Sequence, residues 1–314
     1  MPQIQSDLGN FSVADIQLQD DQLVTQRPPW FEQALQVPMR EGWVQVGGAG
    51  VHYLEWGDPS QQDLVLLHGN NAHAHWFLPT GALLSDRFHC ISMTFSGMGD
   101  SEWRPMYDRE IMESDVIGVI QQLKLQKPVL MAHSFGGMIS VPAAARLGQE
   151  LGALMIVDFV ARPKAKVEEW FQDRPKQIRS TRVYEDKKTC MDRFRLLPDQ
   201  PCANQWLLEY IAEKSVRPVA GGWTWKFDPR IYAHMRLGND HEAMIRNMQV
   251  PIGFLYGAQT VEFNSGSLQD MCDMMPEHAP ICGLQQAQHH LMLDQPLAYA
   301  EVVARMADQL MAQN

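Results

Sequence analysis

The chemistry-bearing residues that stand out first lie in "KPVLMAHSFGGMIS" (127–140), where an apolar run stops at a serine and a new apolar pattern begins at once. A strand that turns directly into a helix forces its corner residue into strained backbone angles and brings neighbouring chain close. The residues two before and two after the corner must therefore be small. Here they are Ala132 and Gly136, with Gly137 behind. This is the GxSxG elbow with alanine in its first glycine position, and it would stand the Ser134 hydroxyl above a sheet edge as a nucleophile. The competing role for Ser134 is an N-cap in front of a glycine-bearing helix.

Three further segments follow the order such a site requires. "LLHGNN" (66–71) ends an apolar run. In this architecture the residue after His-Gly, Asn70, offers a backbone N–H to an oxyanion. Phe135, just after the serine, offers a second, aided by the positive end of the helix that starts there. Without that role His68-Gly69 is an ordinary strand-end turn. "FSGMGDS" (95–101) is a glycine-rich turn, but it has no GK[ST] and opens no helix with GxGxxG, so phosphate binding is not its chemistry. "AQHHLMLDQPLAYAE" (287–301) sets His289 and His290 near the C-terminus, where a late histidine reaches the serine from the same sheet edge. His73 and His75 lie two apart without a nearby carboxylate cluster, so no metal site is read there.

The elements that must position these residues are short apolar runs ending in turn residues: "DLVLLHGN" (63–70), "FHCISMTFSG" (88–97), "PVLMAHS" (128–134), "ALMIVDF" (153–159) and "PIGFLYGA" (251–258). Helix-like segments alternate with them at 109–123 and 135–147, and "PLAYAEVVARMADQLM" closes the chain. Fully apolar runs of about five residues alternating with helices predict a mostly parallel sheet covered on both faces. "GWVQVGGAGVHYLEWGD" predicts a hairpin ahead of them. About ninety residues between Asp158 and Pro251 are too many for a loop and predict an inserted, mostly helical subdomain. The expected layout is an N-terminal extension (1–40), a core (41–160 and 246–314) and a cap insertion (161–245). In the extension, a short helix around 29–37 has Trp30, Phe31, Leu35 and Val37 available for docking.

Composition bounds the function. The chain of 314 residues is 45% hydrophobic and carries a formal net charge of −11, which argues against nucleic acid or an anionic membrane as partner. No stretch reads as a membrane span or a secretory leader. Five scattered cysteines (Cys90, Cys190, Cys202, Cys272, Cys282) without metal spacing read as reduced thiols of a cytoplasmic protein. Nothing in the sequence opposes assembly into a homo-oligomer.

Taken together, "HGNN", "FSGMGDS", "AHSFGG" and "HHLMLDQP" resemble the α/β-hydrolase superfamily from about Val44 to the C-terminus. The resemblance implies an α/β-hydrolase fold with a helical cap, Ser134 as nucleophile, a histidine base and an orienting acid. It implies no cofactor. In the family pattern the base lies five residues before an acidic residue and seven before a proline, so Asp294 and Pro296 select His289 over His290, which is left to packing. The acid departs from the pattern. Where the family places Asp after the penultimate strand, this chain reads "YGAQTVEF", with Thr260 at the expected place. Asp158 is favoured as its substitute, because it ends the run after the nucleophile helix, where active sites of open α/β sheets form. Glu262 is the alternative, and a Ser–His dyad without an acid is the third option.

Serine at the elbow suits acyl transfer. The expected reaction is hydrolysis of a carboxylic ester of a small apolar substrate. Thioesterase, lactonase, acyltransferase and carbon–carbon hydrolase chemistry share the same machinery. Trp76, Phe77, Trp223 and Trp225 are candidate pocket residues, with core packing as their other role. The alternative of another class is a catalytically degenerate homologue that binds an apolar ligand without turnover.

Overall fold

The structure, a computed structural model, describes residues 15–19, 22–161, 181–233, 235, 238, 240–261 and 265–313. Its centre is an eight-stranded sheet. The strands are β1 (Arg40–Val46), β2 (Ala49–Trp56), β3 (Gln62–Leu67), β4 (Phe88–Met93), β5 (Val129–His133), β6 (Ala153–Val157), β9 (Ile252–Gly257) and β10 (Ile281–Leu284), with β7 (Val216–Val219) and β8 (Gly222–Trp225) forming a separate pair. The spatial order is β1-β2-β4-β3-β5-β6-β9-β10. β1 and β2 form the expected hairpin, and β2 runs antiparallel to β4. All later neighbours are parallel. The hairpin closes through Gly47 and Gly48, both at positive φ (53° and 81°), as a two-residue turn with matching twist requires.

Every residue of β4, β5 and β6 is buried, which is why these strands read as continuous apolar runs rather than alternating ones. Alternate residues nevertheless serve opposite layers. Leu64, Leu66, Val129, Met131, Met155 and Val157 pack on the side of the C-terminal helix Pro296–Met311. Val65, Leu67, Leu130, Ala132, Leu154 and Ile156 face helices Arg109–Gln122 and Phe135–Leu147. The first of these two helices starts where Asp108 accepts the Ile111 N–H, an N-cap bond. Because β3, β5, β6, β9 and β10 are parallel, the loops after them open at one sheet edge. His68, Ser134, Asp158, Thr260 and His289 all lie in those loops.

Between β6 and β9 the described residues form helices Lys187–Met191, Gln205–Lys214 and His241–Arg246, together with a hairpin of β7 (Val216–Val219) and β8 (Gly222–Trp225). The sequence pattern suggested mostly helix here and missed the hairpin. Its strands are four residues long, and Pro218 reads as a breaker. Proline is tolerated because β7 is an edge strand, paired on one side only by β8. The N-terminal residues dock on this segment. Phe31, in helix Pro29–Ala34, is fully buried with its ring centroid 4.5 Å from that of Trp206. Gln19 bonds to both Asn204 and Gln295. All five cysteines are free, and no described helix is long and apolar enough to cross a membrane.

Candidate active site

β5 delivers Ser134 into a conformation few residues adopt, with φ 53° and ψ −116°. The corner holds because the Ser134 N–H bonds to the Val157 carbonyl at 2.8 Å and because its neighbours have no side chains in the way. A Cβ on Gly136 would stand 2.8 Å from the carbonyl oxygens of Leu67 and His68, and one on Gly137 2.7 Å from Phe159. Sequence spacing anticipated this crowding. The hydroxyl stays half-buried at the start of helix Phe135–Leu147, with the Phe135 N–H in the first turn and without an intrahelical acceptor.

The histidine loop after β10 meets it there. His289 Nε2 lies 2.9 Å from Ser134 Oγ, and His289 Nδ1 lies 2.8 Å from Asp158 Oδ1. A carboxylate only accepts, so Nδ1 carries the proton and Nε2 presents a lone pair to the serine hydroxyl. Asp158 is almost fully buried at the end of β6. Burial raises its pKa; the bonds from His289, the Gly257 N–H (2.6 Å) and the Thr260 hydroxyl (2.9 Å) oppose that rise. Such a series can accept a proton from the serine as it attacks and return it to a leaving group. Glu262 lies outside the described residues.

Several residues to which the sequence assigned no bonding partner hold this series in place. His68 Nε2 accepts the Phe95 N–H at 3.1 Å, so Nδ1 is protonated and donates to the Gly69 carbonyl at 2.7 Å. Burial keeps this ring neutral, with its pKa lowered to about 4. The Gly69–Asn70 peptide is planar and trans, so holding the Gly69 carbonyl also aims the Asn70 N–H. A Cβ on Gly69 would lie 2.9 Å from His133 Nδ1 and 3.3 Å from Ser134 Cβ, so this peptide passes directly over the serine. His133 donates from Nε2 to the His289 carbonyl at 2.8 Å and anchors the histidine loop. Asp294 accepts the Gln288 N–H and both contacts of Gln200 Nε2, and thus shapes the histidine loop. The signal for His133 and His68 was their adjacency to the serine and the glycine, but their bonding depends on chain far away in sequence.

Nitrogens of His133, His289 and His290 approach within 4.8 Å of one another, a grouping that can hold a metal ion. Those of His289 are engaged by Asp158 and Ser134, His133 Nε2 by a carbonyl, and His133 Nδ1 faces Gly69. Hydrogen bonds thus engage His133 and His289, whereas both ring nitrogens of His290 are buried without a hydrogen-bond partner among the described residues. His290 is buried beside His289, and burial pushes its pKa well down.

Two of the four pocket candidates, Trp76 and Trp225, join a run of rings that ends at His289. Ring centroids are 6.3 Å apart for Trp225–Phe194, 6.4 Å for Phe194–Trp76, 5.3 Å for Trp76–His290 and 4.9 Å for His290–His289. Phe77 is fully buried in the core, and the Trp223 ring lies under the Lys187 ammonium. His73 and His75 bond to Ser215 and Tyr210 of the β6–β9 segment.

Comparison with known proteins agrees with this architecture. The uncharacterized hydrolase YugF of Bacillus subtilis (strain 168) is 34% identical over 101 residues, covering 32% of this chain and 37% of that protein. The 2-(acetamidomethylene)succinate hydrolase of Mesorhizobium japonicum is 23% identical over 232 residues, covering 73% of this chain and 81% of the relative. The chain matches 37%, 42% and 58% of the lengths of three of its curated relatives, so it spans only part of them. The thioesterase domain from the curacin biosynthetic pathway superposes with a TM-score of 0.72 at 20% identity, over 85% of this chain and 99% of that domain, a likeness of fold. The profile of the alpha/beta hydrolase family matches residues 64–302, which hold the serine elbow, the histidine loop and every parallel strand of the sheet except the first residues of β3. With the sheet order and the loop positions described above, this chain belongs to the alpha/beta hydrolase family.

Proposed function

We propose that the protein is a serine hydrolase that cleaves a carboxylic ester, or a related acyl compound, of a small apolar substrate. The observation that carries this reading is the unbroken Ser134–His289–Asp158 series, with contacts of 2.9 Å and 2.8 Å. Ser134 Oγ attacks the acyl carbon while its proton moves to His289 Nε2. The carbonyl electron pair becomes an oxyanion facing the N–H groups of Asn70 and Phe135. Collapse expels the leaving group, which takes the proton from His289. Water then repeats the sequence on the acyl-enzyme, with His289 as base, and releases the acid. Asp158 holds the Nδ1–H tautomer and stabilises the imidazolium that forms.

In this reading residues 161–245 are a cap over a core of 41–160 and 246–314, with 1–40 as an extension. The rings of Trp225, Phe194 and Trp76 supply an apolar wall leading to the base. Free thiols suit the reducing cytoplasm.

Intact-mass analysis after incubation with a fluorophosphonate tests the proposal on wild type, Ser134→Ala and His289→Ala. A single adduct on wild type alone is expected, followed by turnover of short-chain esters. A folded wild type that takes up no label would leave the degenerate, ligand-binding homologue as the better reading.

A further inference from the structure

The loop after β3 is held from two sides. On the core side the contacts are mainly to its backbone. Ser92 Oγ donates to the Ala74 carbonyl and the Ala74 N–H donates to Thr94 Oγ1, both at 2.9 Å. On the other side, among the described residues, its side chains bond to three hydroxyls from the 161–245 segment. The Tyr232 hydroxyl donates to Asn70 Oδ1. Ser215 Oγ lies 2.9 Å from His73 Nε2, and Tyr210 Oη lies 2.9 Å from His75 Nδ1. Positions 70, 73 and 75 are thus gripped in turn.

The direction of one grip follows from hydrogen counting. Ser215 spends its single proton on the Ile211 carbonyl at 2.7 Å, so it must accept from His73. His73 is therefore the Nε2–H tautomer, and its buried Nδ1 has no partner. Both rings are nearly inaccessible, and burial keeps them neutral: it pushes His73 well down and His75 to about 3. The grip is a fixed link of neutral groups. It joins the cap to the loop whose Asn70 N–H, aimed by His68, passes over Ser134.

We propose that Tyr210, Ser215 and Tyr232 are positioning residues for the oxyanion site, so that the site is complete only when the cap is seated. This inference rests on the serine-hydrolase reading above. Lifting the cap removes all three grips together and frees the Asn70 side chain and the following turn, while the core keeps its hold on Ala74. His68 holds this peptide from the Gly69 side whether or not the cap is seated. Seating the cap adds restraint from the Asn70 side chain and the following turn, and so sharpens the N–H alignment as charge develops on the carbonyl oxygen. The arrangement ties hydrolysis to an occupied, closed site.

The test uses Tyr210→Phe, Ser215→Ala and Tyr232→Phe, singly and together, with Ser215→Thr as the variant that keeps a hydroxyl. Each is assayed for kcat and KM on one short-chain ester. Each is also assayed for inhibition by a trifluoromethyl ketone. The Ser134 Oγ–carbon bond formed with that ketone sends the carbonyl pair to an oxyanion and the serine proton to His289. The triple variant is expected to lose about 10- to 100-fold in kcat, with KM within about threefold. The ketone inhibition constant should rise by the factor that kcat/KM falls, and Ser215→Thr should behave as wild type. If the triple variant does not fold, the same proportionality is required of the single variants. Losses confined to KM, or a kcat loss with unmoved ketone affinity, would overturn the proposal. So would unchanged kinetics in an active protein. A wild type that neither hydrolyses esters nor binds the ketone would instead sink the serine-hydrolase reading.

Discussion

The Thr260 hydroxyl donates to Asp158 Oδ2 at 2.9 Å, so the position after β9 where the family pattern expects an acid supplies a hydrogen bond to a carboxylate that follows the neighbouring strand. β6 and β9 are parallel partners, with Val157 opposite Leu255, and their C-terminal ends are side by side. An acid leaving either end can approach the same histidine. Threonine at the vacated position completes the bonding of the one that does.

Asp158→Asn is expected to lower kcat at least about a hundredfold, because an amide at this position no longer selects the Nδ1–H tautomer or stabilises the imidazolium. Glu262→Gln should leave kcat within about threefold of wild type. Ester hydrolysis by the two variants decides the matter, and the reverse ranking would move the acid to Glu262.

Thr260→Val keeps the shape and deletes one donor. Asp158 retains the Gly257 N–H and His289, so the loss in kcat should be at most about tenfold. The Thr260 bond lowers the Asp158 pKa against burial, so its removal should raise that pKa further. The acidic limb of the kcat profile should then move to higher pH. A profile that moves the other way would contradict the assigned role.

Gly136→Ala and Gly69→Ala separate stability from catalysis. The added methyl at 136 meets two carbonyl oxygens at 2.8 Å, backbone atoms with little room to yield. A destabilisation of about 1–3 kcal/mol in urea melts is expected. At 69 the methyl meets His133 Nδ1 at 2.9 Å and shifts the peptide over Ser134. There kcat should fall by about a hundredfold, well out of proportion to the change in melting midpoint.

His89 bridges Asp63 (2.6 Å) and Glu55 (2.7 Å) away from the serine. Burial opposes its charge, but the two carboxylates outweigh burial and raise its pKa. A histidine raised on folding stabilises fully below its unfolded value of about 6.5 and loses that contribution as pH rises through the folded value. Urea midpoints of wild type should therefore decline across that interval relative to His89→Gln. Parallel pH curves for the two proteins would refute the link.

The amino-acid sequence determined the local elements by itself. Apolar runs, glycine pairs and periodic helices follow from short-range sterics and burial. The expected helices at 109–123 and 135–147 and the closing helix agree with the observed spans to within a residue. Small residues around Ser134 marked one chemical position for the same local reason, and the family resemblance, through the spacing of His289 from Asp294 and Pro296, marked a second. The carboxylate lay beyond local rules. Asp158 and His289 are 131 positions apart, and only the parallel order β5-β6-β9-β10 brings their loops to one edge. The four-residue hairpin strands were too short to show a period, and Pro218 disguised them. The contacts of Thr260, His68 and His133, and the grip of Tyr210, Ser215 and Tyr232 on the loop after β3, depend on which backbone or side-chain atom lies opposite each one. Hydrogen-bond partnership across distant segments is a property of the packed chain, and the tertiary structure alone decided it.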